Sequence, residues 1–145
     1  AAALASGVPA VRIDPSALPV ASALRGWIAS QPADRPVLVY STAEPEAVRV
    51  AQGKDAHVAE RLEAVLAGAA QACVELGRTR LAIAGGETSG AVVAKLGVAC
   101  LEIGPEICPG VPWTAALDGR GLALALKSGN FGGPDFFRQA FEALP

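Results

Sequence analysis

The sequence predicts an α/β protein, a layered α/β sandwich with a mixed, mostly parallel sheet and a C-terminal hairpin-like portion. Two observations support this prediction. Short apolar runs, which suit strands covered on both faces, alternate with segments of helical periodicity through the first part of the chain. Further along, apolar runs follow one another across turns rich in glycine and proline, which is typical of hairpins. Alternation followed by hairpins favours a mixed sheet with helices packed on it.

The first elements follow from apolar spacing and turn residues. Residues 8–13 form an apolar run that ends at an Asp-Pro-Ser turn signal, and a helix at 16–30 separates it from a second strand at 36–40. The clearest helix covers 55–76, because its apolar residues recur on one face and Gly77 can cap its C-terminus.

The later elements are shorter and closer together. A strand at 80–84 stops at a Gly-Gly pair, and an Asp-Gly pair indicates a hairpin further on. We expect helices at 88–96 and 134–144, and strands at 100–103, 111–117 and 121–126.

Composition and charge exclude several classes of function. The 145 residues fit one domain, the formal net charge is −2, and no basic block favours a nucleic-acid partner. No apolar run reaches the roughly 20 residues of a membrane span, and the N-terminus lacks a signal-peptide pattern, so we expect a cytoplasmic protein. Three cysteines at irregular spacing indicate reduced, buried thiols, and His57 is expected at the surface. The absence of methionine and a start inside a helical pattern predict a fragment of a longer protein.

A glycine-rich turn lies between the strand at 80–84 and the next helix. Gly85 and Gly86 let the backbone approach a ligand, and the first-turn amides of a helix attract an anion such as phosphate. Thr88 and Ser89 add hydroxyl donors, whereas the charge of Glu87 opposes phosphate unless it points elsewhere or meets Mg²⁺. In the structural alternative, the two hydroxyls only cap the helix.

A second glycine-rich turn begins at Lys127 and continues through Ser128, Gly129 and Asn130. Its glycines permit unusual backbone angles and leave amides free. Lys127 supplies the positive charge that the first turn lacks. In the alternative, this lysine is merely solvated beside an ordinary loop.

Two acids and an aromatic residue complete the candidates. Glu102 and Glu106 could perform acid/base chemistry or bind a metal, although a surface or turn role is the alternative. Trp113 follows a rigid turn and is expected in the core rather than under an adenine ring.

Together, four segments resemble the four-carbon acid sugar kinases, and more narrowly their C-terminal nucleotide-binding domain. The segments are GGETSG at 85–90, EIGPEI at 102–107, PGVPW at 109–113 and LKSGNFGGPDFF at 126–137. The resemblance implies that residues 1–145 are the nucleotide-binding domain, a C-terminal fragment, of a larger two-domain kinase. It also implies ATP-dependent phosphorylation of the terminal (C4) hydroxyl of threonate, erythronate or 3-oxo-tetronate.

The resemblance also assigns a nucleotide site. The nucleotide contacts of the family would fall on residues 86–89 and Gly129, and from the chemistry we extend the site to Gly85, Lys127, Ser128 and Asn130. Mg²⁺ would bridge the phosphates, through Glu87 or a water, and we assign no metal site to the protein. The sugar acid and the catalytic base are expected in an absent N-terminal domain, so the isolated chain is expected to be inactive.

Two other interpretations stay open. The chain could be a non-catalytic α/β module that binds a ligand or a partner, or an acid/base enzyme that uses Glu102 and Glu106. The sequence also leaves open the stereochemistry of the acceptor and the oligomeric state, a homo-oligomer included.

Overall fold

The fold is built on two small sheets and the helices that cover them. The computed structural model describes residues 2–5, 7–41, 57–129 and 131–143. Its strands are β1 (Ala10–Arg12), β2 (Leu38–Tyr40), β3 (Arg80–Ala84), β4 (Leu101–Cys108), β5 (Val111–Ala116) and β6 (Ala123–Lys127). Its helices are α1 (Ala2–Ala5), α2 (Ala21–Ala29), α3 (Val58–Glu75), α4 (Gly86–Leu96) and α5 (Phe136–Glu142).

The strand order confirms the α/β class, the mixed sheet and the C-terminal hairpins. β1 pairs with β2 in parallel, and the larger sheet has the order β3-β6-β5-β4. In that sheet β3 and β6 are parallel, whereas β6 with β5 and β5 with β4 are antiparallel. Among the described strands, two pairings are parallel and two are antiparallel. Parallel pairings therefore do not predominate, in contrast to the prediction of a mostly parallel sheet. The chain returns to the larger sheet through two hairpins, and hairpins pair antiparallel strands.

The larger sheet is covered on both faces, which makes the predicted layered sandwich. Leu124 on β6 packs in a cluster with Ile83 of β3 and Val92 of α4. Its neighbour Ala125 packs on the other face, with Trp113 of β5 and Phe136 of α5. This is the alternation that a strand requires. The sheet therefore holds α4 on one side and α5 on the other.

Helix α3 joins the two sheets because it is buried on more than one side. Ala67 faces the cluster around α4 and β3. Ala69, Ala72 and Cys73 face α2, together with residues of the small sheet. Alanine at these positions lets the neighbouring helices approach closely. The apolar stripe predicted for this helix is confirmed, whereas predicted residues 55 and 56 lie outside the described part.

Several predicted boundaries shift for local reasons. Helix α2 begins at Ala21 rather than at residue 16, since proline at 19 disfavours helical geometry in the residue before it. Strand β4 continues through Gly104 and Pro105 to Cys108 instead of ending at 103. Because β4 is an edge strand, the missing amide hydrogen of Pro105 can be tolerated there.

Trp113 is in the core, as predicted, and its Nε1–H donates to the carbonyl oxygen of Ala140 at 2.8 Å. The cysteines are free thiols, but only Cys73 is buried, so the expectation of three buried thiols is wrong. Cys100 is exposed and directly precedes the edge strand β4. Burial raises the pKa of the Cys73 thiol. His57 is exposed, as expected. Within the described residues, we find no helix with the length and apolarity to cross a membrane.

A matched pair of leucines tests the sheet core. Leu124→Ala is expected to lower the free energy of unfolding by about 2–5 kcal/mol, because Leu124 is fully buried between β3 and α4. Leu117→Ala is expected to change it by less than about 0.5 kcal/mol, since Leu117 is 60% exposed. Urea unfolding followed by circular dichroism measures both. Equal losses of stability in the two variants would contradict the burial of Leu124 in the sheet core.

Candidate functional site

The two glycine-rich turns lie side by side at one edge of the larger sheet. Each turn directly follows the carboxyl end of a strand, and those strands, β3 and β6, are parallel neighbours. Ala84 lies opposite Lys127 in the register, and the Gly85 amide donates to the Lys127 carbonyl oxygen at 2.8 Å. Ligands of open α/β sheets commonly bind at the carboxyl ends of parallel strands. The fold therefore unites the two predicted turns in one candidate site.

The first turn depends on Gly85. Its φ of 116° suits glycine, and a Cβ there would lie 3.2 Å from Thr88 Oγ1. Helix α4 then begins at Gly86, and the Ser89 amide makes the first helical bond, donating to the Gly85 carbonyl at 2.8 Å. The amides of residues 86–88 precede that bond and have no partner within the helix. They form the end of α4 that favours an anion.

The hydroxyls of this turn do not cap the helix. The cap residue is Gly85, and no side chain bonds there. Ser89 is only 9% exposed, and its Oγ has no hydrogen-bond partner among the described residues. A buried hydroxyl without a partner costs about 1–3 kcal/mol. The first turn therefore contains a buried polar group that a bound ligand or water could satisfy.

Glu87 of the first turn interacts with a glutamate of helix α3. That residue is Glu63, and hydrogen bonding with Glu87 is one of the effects that raise its pKa. Burial first, then this hydrogen bond and the nearby charges of Glu87 and Glu60, raise the pKa of Glu63. Glu87 therefore has an interaction partner on α3. The described residues contain no cluster of three or more His, Cys, Asp or Glu side chains that could hold a metal ion.

The second turn is stabilised by hydrogen bonds from its own lysine, Lys127. Lys127 Nζ donates to the carbonyl oxygens of Ser128 and Gly129 at 3.1 and 3.2 Å, and it lies 5.8 Å from the centroid of the Phe136 ring. Lys127 is thus at the site, where it stabilises the turn as well as supplying charge. Asn130, also predicted for the site, lies outside the described residues.

Two glycines of the site have no structural need to be glycine. Gly86 and Gly129 both lack a positive φ, and a Cβ on either would meet nothing within 4 Å. Gly86 is also the first residue of α4, and glycine has a weaker helix propensity than alanine. Both positions therefore keep open space beside the amides, which is the condition for close approach of a ligand.

Glu102 and Glu106 are the paired acids of the acid/base interpretation. Both lie on the exposed edge strand β4, and the pairing register shifts between Ile103 and Glu106. Glu106 Oε1 accepts a hydrogen bond from the Gly110 amide at 3.1 Å, which closes the β4–β5 hairpin. Glu102 is exposed near the start of β4, away from that turn. The structure thus favours the turn role for Glu106.

Known proteins are similar to this chain in sequence. A family model described as a nucleotide-binding C-terminal domain matches residues 1–137. A 3-oxo-tetronate kinase of Cupriavidus necator is 48% identical over 97% of this chain and 34% of its own length. One from Burkholderia multivorans is 47% identical over 94% of this chain and 33% of its own length. The chain therefore spans about a third of these relatives.

Solved structures agree in fold. A Salmonella typhimurium protein, provisionally described as a tRNA synthase, has a TM-score of 0.87 at 35% identity and covers 99% of this chain and 37% of its own. A Haemophilus influenzae protein of the DUF1537 family has a TM-score of 0.83 at 33% identity, over 94% of this chain and 34% of its own.

Gly85→Ala is expected to destabilise the chain by about 1–3 kcal/mol, because alanine is strained at φ 116° and its Cβ would crowd Thr88. Gly86→Ala is the matched control, since its position is helical and open, and it should leave stability unchanged or raise it by up to about 1 kcal/mol. Thermal unfolding compares the two. A larger loss for Gly86→Ala than for Gly85→Ala would contradict this geometry.

Glu63→Gln is expected to stabilise the chain more at about pH 7 than at about pH 4. The raised pKa of Glu63 means that the folded state holds its proton more tightly than the unfolded state. The wild-type chain has this contribution in full below about pH 4 and loses it as the pH rises through the folded pKa. Glutamine does not titrate. Urea midpoints of both proteins at the two pH values test this, and a stability difference independent of pH would disprove it.

Proposed function

This chain belongs to the family of nucleotide-binding C-terminal domains, and from that premise we propose that it binds ATP as part of a sugar-acid kinase. The longer enzyme would phosphorylate the terminal hydroxyl of a four-carbon acid sugar. Its curated relatives are named 3-oxo-tetronate kinases, which favours 3-oxo-tetronate over threonate or erythronate. The observation that carries the proposal is the meeting of two glycine-rich turns at the carboxyl ends of β3 and β6.

The phosphates would lie between these turns. The amides of residues 86–88 and the unpartnered Ser89 hydroxyl supply donors from the first turn. The open space at Gly86 and Gly129 lets phosphate oxygens reach the backbone. Lys127 has three ammonium protons and uses two on its own turn, so one remains for a phosphate oxygen. These groups combine the hydrogen-bond donors and the positive charge that a triphosphate requires.

Mg²⁺ would bind chiefly to the phosphates and water, as it does in many phosphoryl-transfer sites. The described residues offer no cluster that would hold it alone. When bound, Mg²⁺ neutralises phosphate charge. The contribution of this chain is to position the phosphates and to stabilise their charge through amides, a hydroxyl and a lysine.

The acceptor and the catalytic base would belong to the rest of the enzyme. The matched relatives extend well beyond this chain, which covers 34% and 33% of two of them. We place the acid-sugar site in that remaining part and expect the isolated chain to bind ATP without turning over. The formal net charge of −2 gives no electrostatic reason to favour an RNA substrate. A cytoplasmic location remains a prediction from the sequence.

Gly129→Val tests the proposed site by calorimetry with ATP and Mg²⁺. We expect micromolar to millimolar binding in the wild-type chain and at least about a tenfold loss in the variant, roughly 1.4 kcal/mol, because the valine side chain fills the space meant for phosphate. Gly26→Val is the control, since Gly26 is exposed on α2 and its Cβ would also meet nothing.

The outcomes separate the interpretations. Equal affinity in Gly129→Val and the wild type would remove the phosphate site from the second turn. A longer protein that binds ATP and phosphorylates 3-oxo-tetronate supports the kinase. A longer protein that binds a ligand without phosphoryl transfer supports the non-catalytic module instead.

A further inference from the structure

The tip of the β4–β5 hairpin reaches the second glycine-rich turn. Gly110, at that tip, has a φ of 78°. A Cβ on Gly110 would lie 2.8 Å from Phe131 Cε1 and 3.2 Å from Phe131 Cδ1. Since real Cβ atoms do not approach so closely, the Phe131 ring occupies the space that a side chain at Gly110 would need. Phe131 belongs to the second turn, two residues after Gly129.

Both sides of this contact are anchored. On the hairpin side, Glu106 Oε1 accepts the Gly110 amide at 3.1 Å. On the turn side, the Phe131 amide donates to the Ser128 carbonyl oxygen at 3.3 Å. A continuous series of contacts therefore runs from an edge strand to the backbone that follows β6. Phe131 is 46% exposed, so its contact with the hairpin is made at the surface of the sheet edge.

We propose that Phe131 is a positioning residue whose ring, held against Gly110, keeps the second glycine-rich turn in its ligand-binding conformation. The turn is rich in glycine, and glycine loses the most conformational entropy on ordering. The turn is also packed after Phe131. A Cβ on Gly132 would lie 3.0 Å from the Phe136 ring, so the Gly132 backbone lies close to that ring. Holding the turn before the ligand arrives removes part of the cost of binding. That the ligand is a nucleotide phosphate rests on the proposed function.

The test compares two glycines with the same backbone strain. Gly110 and Gly119 have φ values of 78° and 79°, but a Cβ on Gly119 meets nothing within 4 Å. Hydrogen exchange of the amides at 127–129 and 131–133 is measured without nucleotide in Gly110→Ala and Gly119→Ala. We expect about tenfold faster exchange in Gly110→Ala alone. Equal exchange in the two variants would overturn the proposal.

A double-mutant cycle shows whether the effect passes through the ring. Phe131→Ala should accelerate exchange in the turn as Gly110→Ala does, because both remove the same contact. The double variant should exchange no faster than either single variant, since coupled residues are not additive. Additive acceleration would mean that the two residues act independently, against the proposal.

ATP affinity, measured with Mg²⁺ on the same variants, separates this inference from the proposed function. We expect about a tenfold loss in Gly110→Ala and Phe131→Ala and none in Gly119→Ala. If the wild type binds ATP and a loosened turn leaves its affinity unchanged, the positioning role is wrong. If the wild type and the longer protein bind no ATP while Gly110→Ala still loosens the turn, the contact stands and the nucleotide assignment fails.

Discussion

The parallel pairing of β3 with β6 is the interaction on which the candidate site depends. It places the ends of two strands, far apart in sequence, at the same edge of the sheet, with Ala84 opposite Lys127. The bond from the Gly85 amide to the Lys127 carbonyl extends the pairing into the turns themselves. A slip of one residue in this register would turn Leu124 away from its cluster and Ala125 into it. The buried core of the sheet therefore fixes the geometry of the site.

Packing around that pairing supplies the other constraints. Helix α3 is buried toward both sheets, so its position is set from two directions. This brings Glu63 to the first turn of α4, where it meets Glu87. On the other side, the β4–β5 hairpin brings Gly110 to Phe131. Each turn is thus supported by an element that carries none of the predicted phosphate donors.

The elements most accurately predicted from the sequence are those whose ends are marked by local chemistry. Strand β3 occupies residues 80–84 as predicted, because glycine stops its apolar run abruptly. Strand β4 was harder to predict, since Gly104-Pro105 is a turn signal in most contexts and only the edge position accommodates it. The helix after β3 begins at Gly86 rather than at residue 88, because the weak helix propensity of glycine concealed its first turn.

The site was predictable as two motifs but not as a single arrangement. Glycine and hydroxyl residues after a strand indicate an anion-binding turn wherever they occur. The two turns are adjacent because β3 and β6 are neighbours in the sheet. The hairpins and the packing of the sheet determine that strand order. The same holds for the contacts of Glu63 with Glu87 and of Gly110 with Phe131, since neither pair has a periodic or motif signal in the sequence. The hydrogen bonds of Lys127 to its own turn also depend on the folded loop.

Both glycine-rich turns are expected to contact one nucleotide. Amide chemical shifts of the ¹⁵N-labelled chain, followed by NMR during titration with ATP and Mg²⁺, test it most directly. If both turns bind the same nucleotide, amides at 86–89 and at 128–129 shift together along one binding curve. Shifts confined to one turn, or centred elsewhere in the fold, would contradict it.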